Sequence, residues 1–353
     1  MIFSTTIVKA LCAIISLGSF IIFSQMTNQA ELAIFYIFFI AQSTLLVSFS
    51  DLGLNALNSS VRLEQCRILV PSFLESYEKY QFDLIAIFFA GLFLWLLIDL
   101  SVLFLIPSIA YVFLRIYVMR WITISRKDIS PVTSIVYGDF IHTIINACSL
   151  IGLYFSKEYF IGAVTIGLSL QVILLSRNDL GINILFHMLR LSKKQYANGN
   201  FLILLQSYFS ALKNNIVGAL LGLSAEINID TIFVANRTGQ MYAIATGGIN
   251  NVIPYRLRHR GSIIAVDIFS ILLFFAPIIL VGMCLLVPDI ISSLITLLFN
   301  VEVTNLNRAL LVVLLIPYLI TPLNLILIAN SRYTACIMMD FFIVLSILFS
   351  VGI

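Results

Sequence analysis

The chain has 353 residues, of which 61% are hydrophobic and only 10% charged, with a mean hydropathy of +1.06. Soluble domains carry about 25% charged residues, so the composition excludes a soluble enzyme and a soluble binding module. The net charge of +3, from 20 Lys and Arg against 17 Asp and Glu, is no argument for nucleic acid, because the basic residues fall where membrane topology puts them.

The apolar stretches are 5–24, 32–50, 82–98, 100–119, 131–155, 159–176, 205–233, 240–255, 262–288, 308–329 and 334–353. A hydrocarbon core of roughly 30 Å needs about 20 apolar residues as helix, and most stretches reach that length. Fourteen of the Lys and Arg residues lie in the even-numbered gaps: Arg62, Arg67, Lys79, Arg120, Arg126, Lys127, Arg177, Arg190, Lys193, Lys194, Arg256, Arg258, Arg260 and Arg332. Only Lys157, Arg237 and Arg308 lie in the odd gaps. Short loops rich in Lys and Arg stay on the cytoplasmic side. The expected fold is therefore an all-α polytopic membrane protein of about eleven spans, with the N-terminus cytoplasmic and the last residue outside. Lys9 sits inside the first apolar run, so no basic region precedes it as in a cleavable signal. The five cysteines have no paired or metal-ligand spacing, and neither metal nor cofactor is expected.

Taken in chain order, each ionisable residue inside a stretch has two readings, since such a group costs roughly 2.5–3.5 kcal/mol in a span and must face a cavity, find a partner or snorkel. Lys9 either snorkels to the inner headgroups or faces a wet cavity, with Ser16 two turns on along the same face. Between the third and fourth stretches, Asp99 and Ser101 predict a tight turn, because one unbroken helix there would be about 54 Å long. Arg115 is either an inner-side anchor or a cavity cation. Asp139, His142 and Asn146 recur on one face of the fifth stretch. They form either a helix-to-helix hydrogen-bond cluster or a proton site, since histidine titrates near neutral pH. The basic segment 177–204, with Leu185, Phe186, Leu189 and Leu191 against Arg190, Lys193 and Lys194, reads as a helix on the inner leaflet. It divides an N-terminal six-helix lobe, 1–176, from a C-terminal lobe of about five helices, 205–353. In the seventh stretch, Lys213 lies either near the inner boundary, if 201–212 runs along the interface, or inside the membrane, if the helix runs straight through. Gly218 and Gly222, four apart, allow close helix approach or a hinge. Glu226 and Asp230 form an i, i+4 pair at the outer end: either paired carboxylates suited to proton binding or a solvated face. Arg237 in the following gap would neutralise Asp230. Pro254, Pro277, Pro288, Pro317 and Pro322 crowd the second lobe and either bend its helices or pack as ordinary residues.

Several stations carry a likeness. They are Asp51-Leu52-Gly53-Leu54-Asn55 after the second stretch, Glu226 to Asp230 followed by Tyr242-Ala243-Ile244-Ala245, and Pro288 to Phe299. In order and spacing the chain resembles the multidrug/oligosaccharidyl-lipid/polysaccharide exporter superfamily, above all its Wzx-type O-antigen and polysaccharide flippases. The resemblance implies two lobes forming a V around a cationic cavity in the bacterial cytoplasmic (inner) membrane. It implies alternating access, usually coupled to a proton or sodium gradient, that flips an undecaprenyl-diphosphate-linked oligosaccharide for lipopolysaccharide or polysaccharide assembly. Such a protein is a transporter and no enzyme; its partners would be the lipid-linked glycan, membrane lipids and other polysaccharide-assembly membrane proteins. Members have at least twelve spans, so this chain reads as a shortened member with the last helix missing. Within that frame Lys9, Lys213 and Arg115 are the expected substrate-binding cations, with Lys9 and Lys213 clamping the diphosphate. Asp139, His142, Glu226 and Asp230 are the expected coupling groups. A cation or drug antiporter of the same superfamily and a membrane glycan polymerase are the competing functions.

Overall fold

The computed structural model describes residues 2–27, 30–50, 82–128, 136–176, 201–223, 229–250, 279, 281–283, 285–303, 306–329 and 332–352. The described residues are helical throughout, apart from turns, and include no strand. The helices are α1 (Ile2–Thr27), α2 (Ala30–Ser50), α3 (Phe82–Ile98), α4 (Leu105–Asp128), α5 (Ile141–Phe155), α6 (Lys157–Ser176), α7 (Phe201–Leu223), α8 (Ile229–Asn250), α9 (Pro288–Phe299), α10 (Arg308–Ala329) and α11 (Tyr333–Val351). A π-helical turn, Val136–Phe140, leads into α5. Glu226, the segment 177–200, the basic residues 256–260 and most of the ninth stretch lie outside the described residues, as do the side chains of Lys9 and Gly222.

Among the described residues, four segments are long and apolar enough to cross a membrane by length and composition: Glu31–Ser48, Gly138–Phe155, Lys157–Leu175 and Tyr333–Val351, of 18 or 19 residues each. At 1.5 Å per residue they reach about 27–29 Å, the thickness of a hydrocarbon core. Side-chain placement agrees with a lipid solvent. In α11, Cys336, Ile337, Asp340, Ile343, Val344, Ile347 and Val351 form the buried stripe, while Met338, Phe341, Phe342 and Phe349 face outward. A helix that hides its carboxylate and displays its phenylalanines has the reverse of the pattern water imposes. The same holds in α6, which buries Gln171 and exposes Ile166, Leu170, Ile173 and Leu174.

The chain clusters into two compact units, one of Met1–Ser19 with Ser43–Tyr208, the other of Phe20–Gln42 with Phe209–Ile353. In the first, α3 turns into α4 where Asp99 and Ser101 foretell it. Asp99 takes a left-handed φ of 54°, and the Trp95 indole donates to the Ser101 carbonyl at 3.0 Å. Gly91 lets α4 approach, since a Cβ there would stand 2.5 Å from the Ile109 backbone. Between α5 and α6 the chain breaks at one extended residue, Ser156, whose hydroxyl accepts from the Tyr159 amide at 3.2 Å and caps α6.

In the second unit, two expected boundaries move. The seventh stretch was expected to run to 233 and the eighth from 240 to 255. Instead α7 ends at Leu223 and α8 is one helix from Ile229 to Asn250. Arg237 therefore lies in the middle of a helix, not in a loop. The gap 289–307 also holds structure. Pro288 begins α9, which buries Ile291, Ile295 and Phe299 and ends at left-handed Asn300 with φ 52°.

Candidate functional site

Lys213 is nearly completely buried on α7, on the same face as Gln206, Val217 and Leu220. The helix runs unbroken from Phe201 through Lys213 to Leu223, so Lys213 belongs to its interior. Its ammonium meets the Asp340 carboxylate of α11 at 2.9 Å, with side-chain exposures of 1% and 0%. Asn324, brought by α10, donates its amide to the same Asp340 oxygen, Oδ1, at 2.5 Å. The Cys336 thiol lies one turn back on α11, 3.9 Å from Oδ2. Three helices thus converge on one buried point, with Lys213 from α7, Asn324 from α10, and Asp340 with Cys336 from α11.

The balance of this cluster is uneven. At an effective dielectric of about 20, charges 2.9 Å apart attract by about 6 kcal/mol. Desolvating each ion costs several kcal/mol, so the pair contributes little net stability. Its hydrogen-bonding capacity is also only part used. One Asp340 oxygen takes both strong donors, while Asn324 Oδ1 is buried without a partner among the described residues. A low-dielectric network with unfilled capacity is a place where a proton or cation can be exchanged.

The first unit carries a second polar cluster. Arg115 Nη1 donates to His142 Nε2 at 2.5 Å, and the Asn146 amide donates to the same nitrogen at 3.0 Å. A guanidinium can only donate; Nε2 therefore accepts, and the imidazole proton sits on Nδ1, which has no partner among the described residues. Asp139 lies in the π-helical turn, where its carbonyl accepts from the Thr143 hydroxyl at 2.8 Å. Buried Gln171 of α6 donates to Gly138 O in the same turn at 2.9 Å. Single π-turns inside helices recur at functional sites.

No family model matches the chain, and no curated protein and no solved structure matches it.

Of the residues expected from sequence, the structure brings together Arg115, His142 and Asn146, three residues that had been read on two separate helices. It gives Lys213 a carboxylate partner that was not foreseen. Gly218 is a packing point: a Cβ there would stand 2.8 Å from Ala41 Cβ and 3.1 Å from the Asn236 amide. Asp230 lies in the first turn of α8. Arg237, expected to neutralise Asp230, is buried with its guanidinium 4.3 Å over the Phe20 ring and 5.8 and 5.7 Å from Phe233 and Phe299. Each such contact is worth about 0.5–2 kcal/mol, against a desolvation cost of several.

Asp340, Asn324 and the ring-lined Arg237 were missed. A signal for Asp340 was present: an acid in the middle of the last apolar stretch calls for a cation inside the membrane, and Lys213 was one of three basic residues left within stretches. Asn324 carried no such signal, because an amide in a span pairs with almost anything.

Proposed function

We propose that the chain is a multi-pass transporter of the bacterial cytoplasmic membrane, of about eleven spans in two lobes, with the N-terminus inside. Its cargo, on the strength of the sequence resemblance, is an undecaprenyl-diphosphate-linked oligosaccharide moved to the outer leaflet by alternating access. The observation that carries the transport reading is the Lys213–Asp340 pair with Asn324, charges held among apolar helices where net stability gives little reason to keep them. Arg115 and His142 support it as a second polar point in another unit. Lys9, Glu226 and Asp230 keep their expected roles, as a diphosphate-binding cation and as coupling groups.

One observation favours a second reading, a cation antiporter. Asp340 neutralises Lys213, so this lysine no longer argues against a cationic cargo. The two readings separate in a deletion strain. The flippase predicts lipid-linked oligosaccharide accumulating on the inner face and loss of surface glycan, restored by the wild-type chain but not by Asp340→Asn at equal membrane levels. The antiporter predicts normal surface glycan and sensitivity to lipophilic cations. If the strain is normal in both respects, the transport reading fails.

A further inference from the structure

The N-terminal half of α8 is buried from Thr231 to Thr238, and Arg237 is the charged residue in that run, 3% exposed. Its guanidinium carbon lies 4.3 Å over the face of Phe20, with Phe233 and Phe299 within 6 Å. These rings hold one another: Phe20 packs on Tyr36 at 5.3 Å and on Phe299 at 5.7 Å, and Phe233 meets Phe299 edge-on at 6.0 Å. Tyr36 and Tyr318 lie within electrostatic reach of the guanidinium. Tyr318 is pressed against α8 at Gly239, where a Cβ would overlap its ring. All of these residues belong to one compact unit.

Lys213, the other buried cation among the described residues of that unit, has Asp340. Among the described residues Arg237 has no carboxylate, and its Nε makes no hydrogen bond. Phenylalanine faces stabilise a cation but accept no hydrogen bond in the plane of the guanidinium, so they leave the Nε donor unused. A buried guanidinium that lies over aromatic rings and leaves its Nε without a hydrogen bond among the described residues is suited to a tetrahedral oxyanion, which a guanidinium engages through two parallel N–H bonds.

We propose that Arg237, floored by Phe20, Phe233 and Phe299 and flanked by Tyr36 and Tyr318, is a binding site for a phosphate-class oxyanion. The ligand is either a free phosphate or the headgroup of an anionic lipid. The site stands apart from the transport reading and does not depend on it.

The test uses the full chain. Thermal unfolding is followed in uncharged detergent with sodium phosphate against sodium chloride at matched ionic strength. It is repeated in phosphatidylcholine nanodiscs with and without phosphatidylglycerol. Wild type should gain a saturable rise in Tm. Arg237→Met should lose roughly 10- to 100-fold in apparent phosphate affinity, the loss of a charge-assisted hydrogen-bonded pair, and Arg237→Lys, which keeps charge without the fork, should fall between. A rise with phosphate assigns the site to the free anion; a rise only with phosphatidylglycerol assigns it to the headgroup. In chloride, Arg237→Met should be at least as stable as wild type, because it removes a buried cation that has no carboxylate partner among the described residues. The proposal is overturned if neither probe raises the wild-type Tm, or if Arg237→Met responds as wild type does. It is equally overturned if Arg237→Met is markedly less stable, or unfolded, in chloride, since the guanidinium would then be a brace for the rings.

Discussion

The Lys213–Asp340 pair makes the sharpest demand on experiment. Removing one partner leaves the other charge at 1% exposure or less, and halving a buried ion pair costs about 3–5 kcal/mol. Lys213→Met and Asp340→Leu should each destabilise by that amount. Asp340→Asn should cost less, about 2–3 kcal/mol, because its amide oxygen still accepts from Lys213 and Asn324. The double variant Lys213→Met/Asp340→Leu removes both charges and keeps volume, and such replacements are neutral or stabilising by about 1–4 kcal/mol. The cycle should therefore give a coupling energy well above 2 kcal/mol. Equilibrium unfolding in mixed micelles, read by helical circular dichroism, measures it. If the two single costs add in the double variant to within about 0.5 kcal/mol, the two side chains do not meet and the reasoning from this geometry is wrong. Transport then supplies the separate reading. A double variant that is folded, abundant and fully active would leave the pair as architecture and remove it from the mechanism.

Other expectations follow from single contacts. His142→Leu should cost about 1–3 kcal/mol, by leaving the Arg115 guanidinium without its acceptor, while His142→Gln, which keeps an acceptor, should recover most of it in the same unfolding assay. Gly218→Ala should lower stability by about 1–3 kcal/mol through overpacking against Ala41, and Ala41→Gly in the same chain should restore it; failure of that rescue would separate α7 from α2 at this point. Ser156→Ala removes the cap of α6 and should cost about 1 kcal/mol. Reporter fusions within 120–127 and 256–260 should read as cytoplasmic; an external reading at either would break the expected topology.

The all-helical character was legible because the bilayer permits so few solutions. A spanning segment must satisfy its own backbone, so length and hydropathy nearly suffice to find helices. The turn at Asp99 and the break at Ser156 were visible as polar interruptions in apolar runs. That Ile229–Asn250 is one helix was not, since polar Asn236, Arg237, Thr238 and Gln240 interrupt its hydropathy and look like a gap. Arg237 was misread for a related reason: a basic residue between two apolar runs looks like a loop when its aromatic partners, Phe20 and Phe299, are some 217 and 62 positions away. The candidate sites were legible only by half. Periodicity put His142 and Asn146 on one face, and could do no more, because the Arg115 that completes the cluster arrives from another helix. Lys213 stood out as a cation in an apolar run, yet its meaning turns on Asp340. Alone, it is a cation waiting for an anionic cargo; paired, it is neutral to its surroundings until something displaces its partner. Which cation is free to meet an anion is a property of three-dimensional pairing, not of position in the sequence.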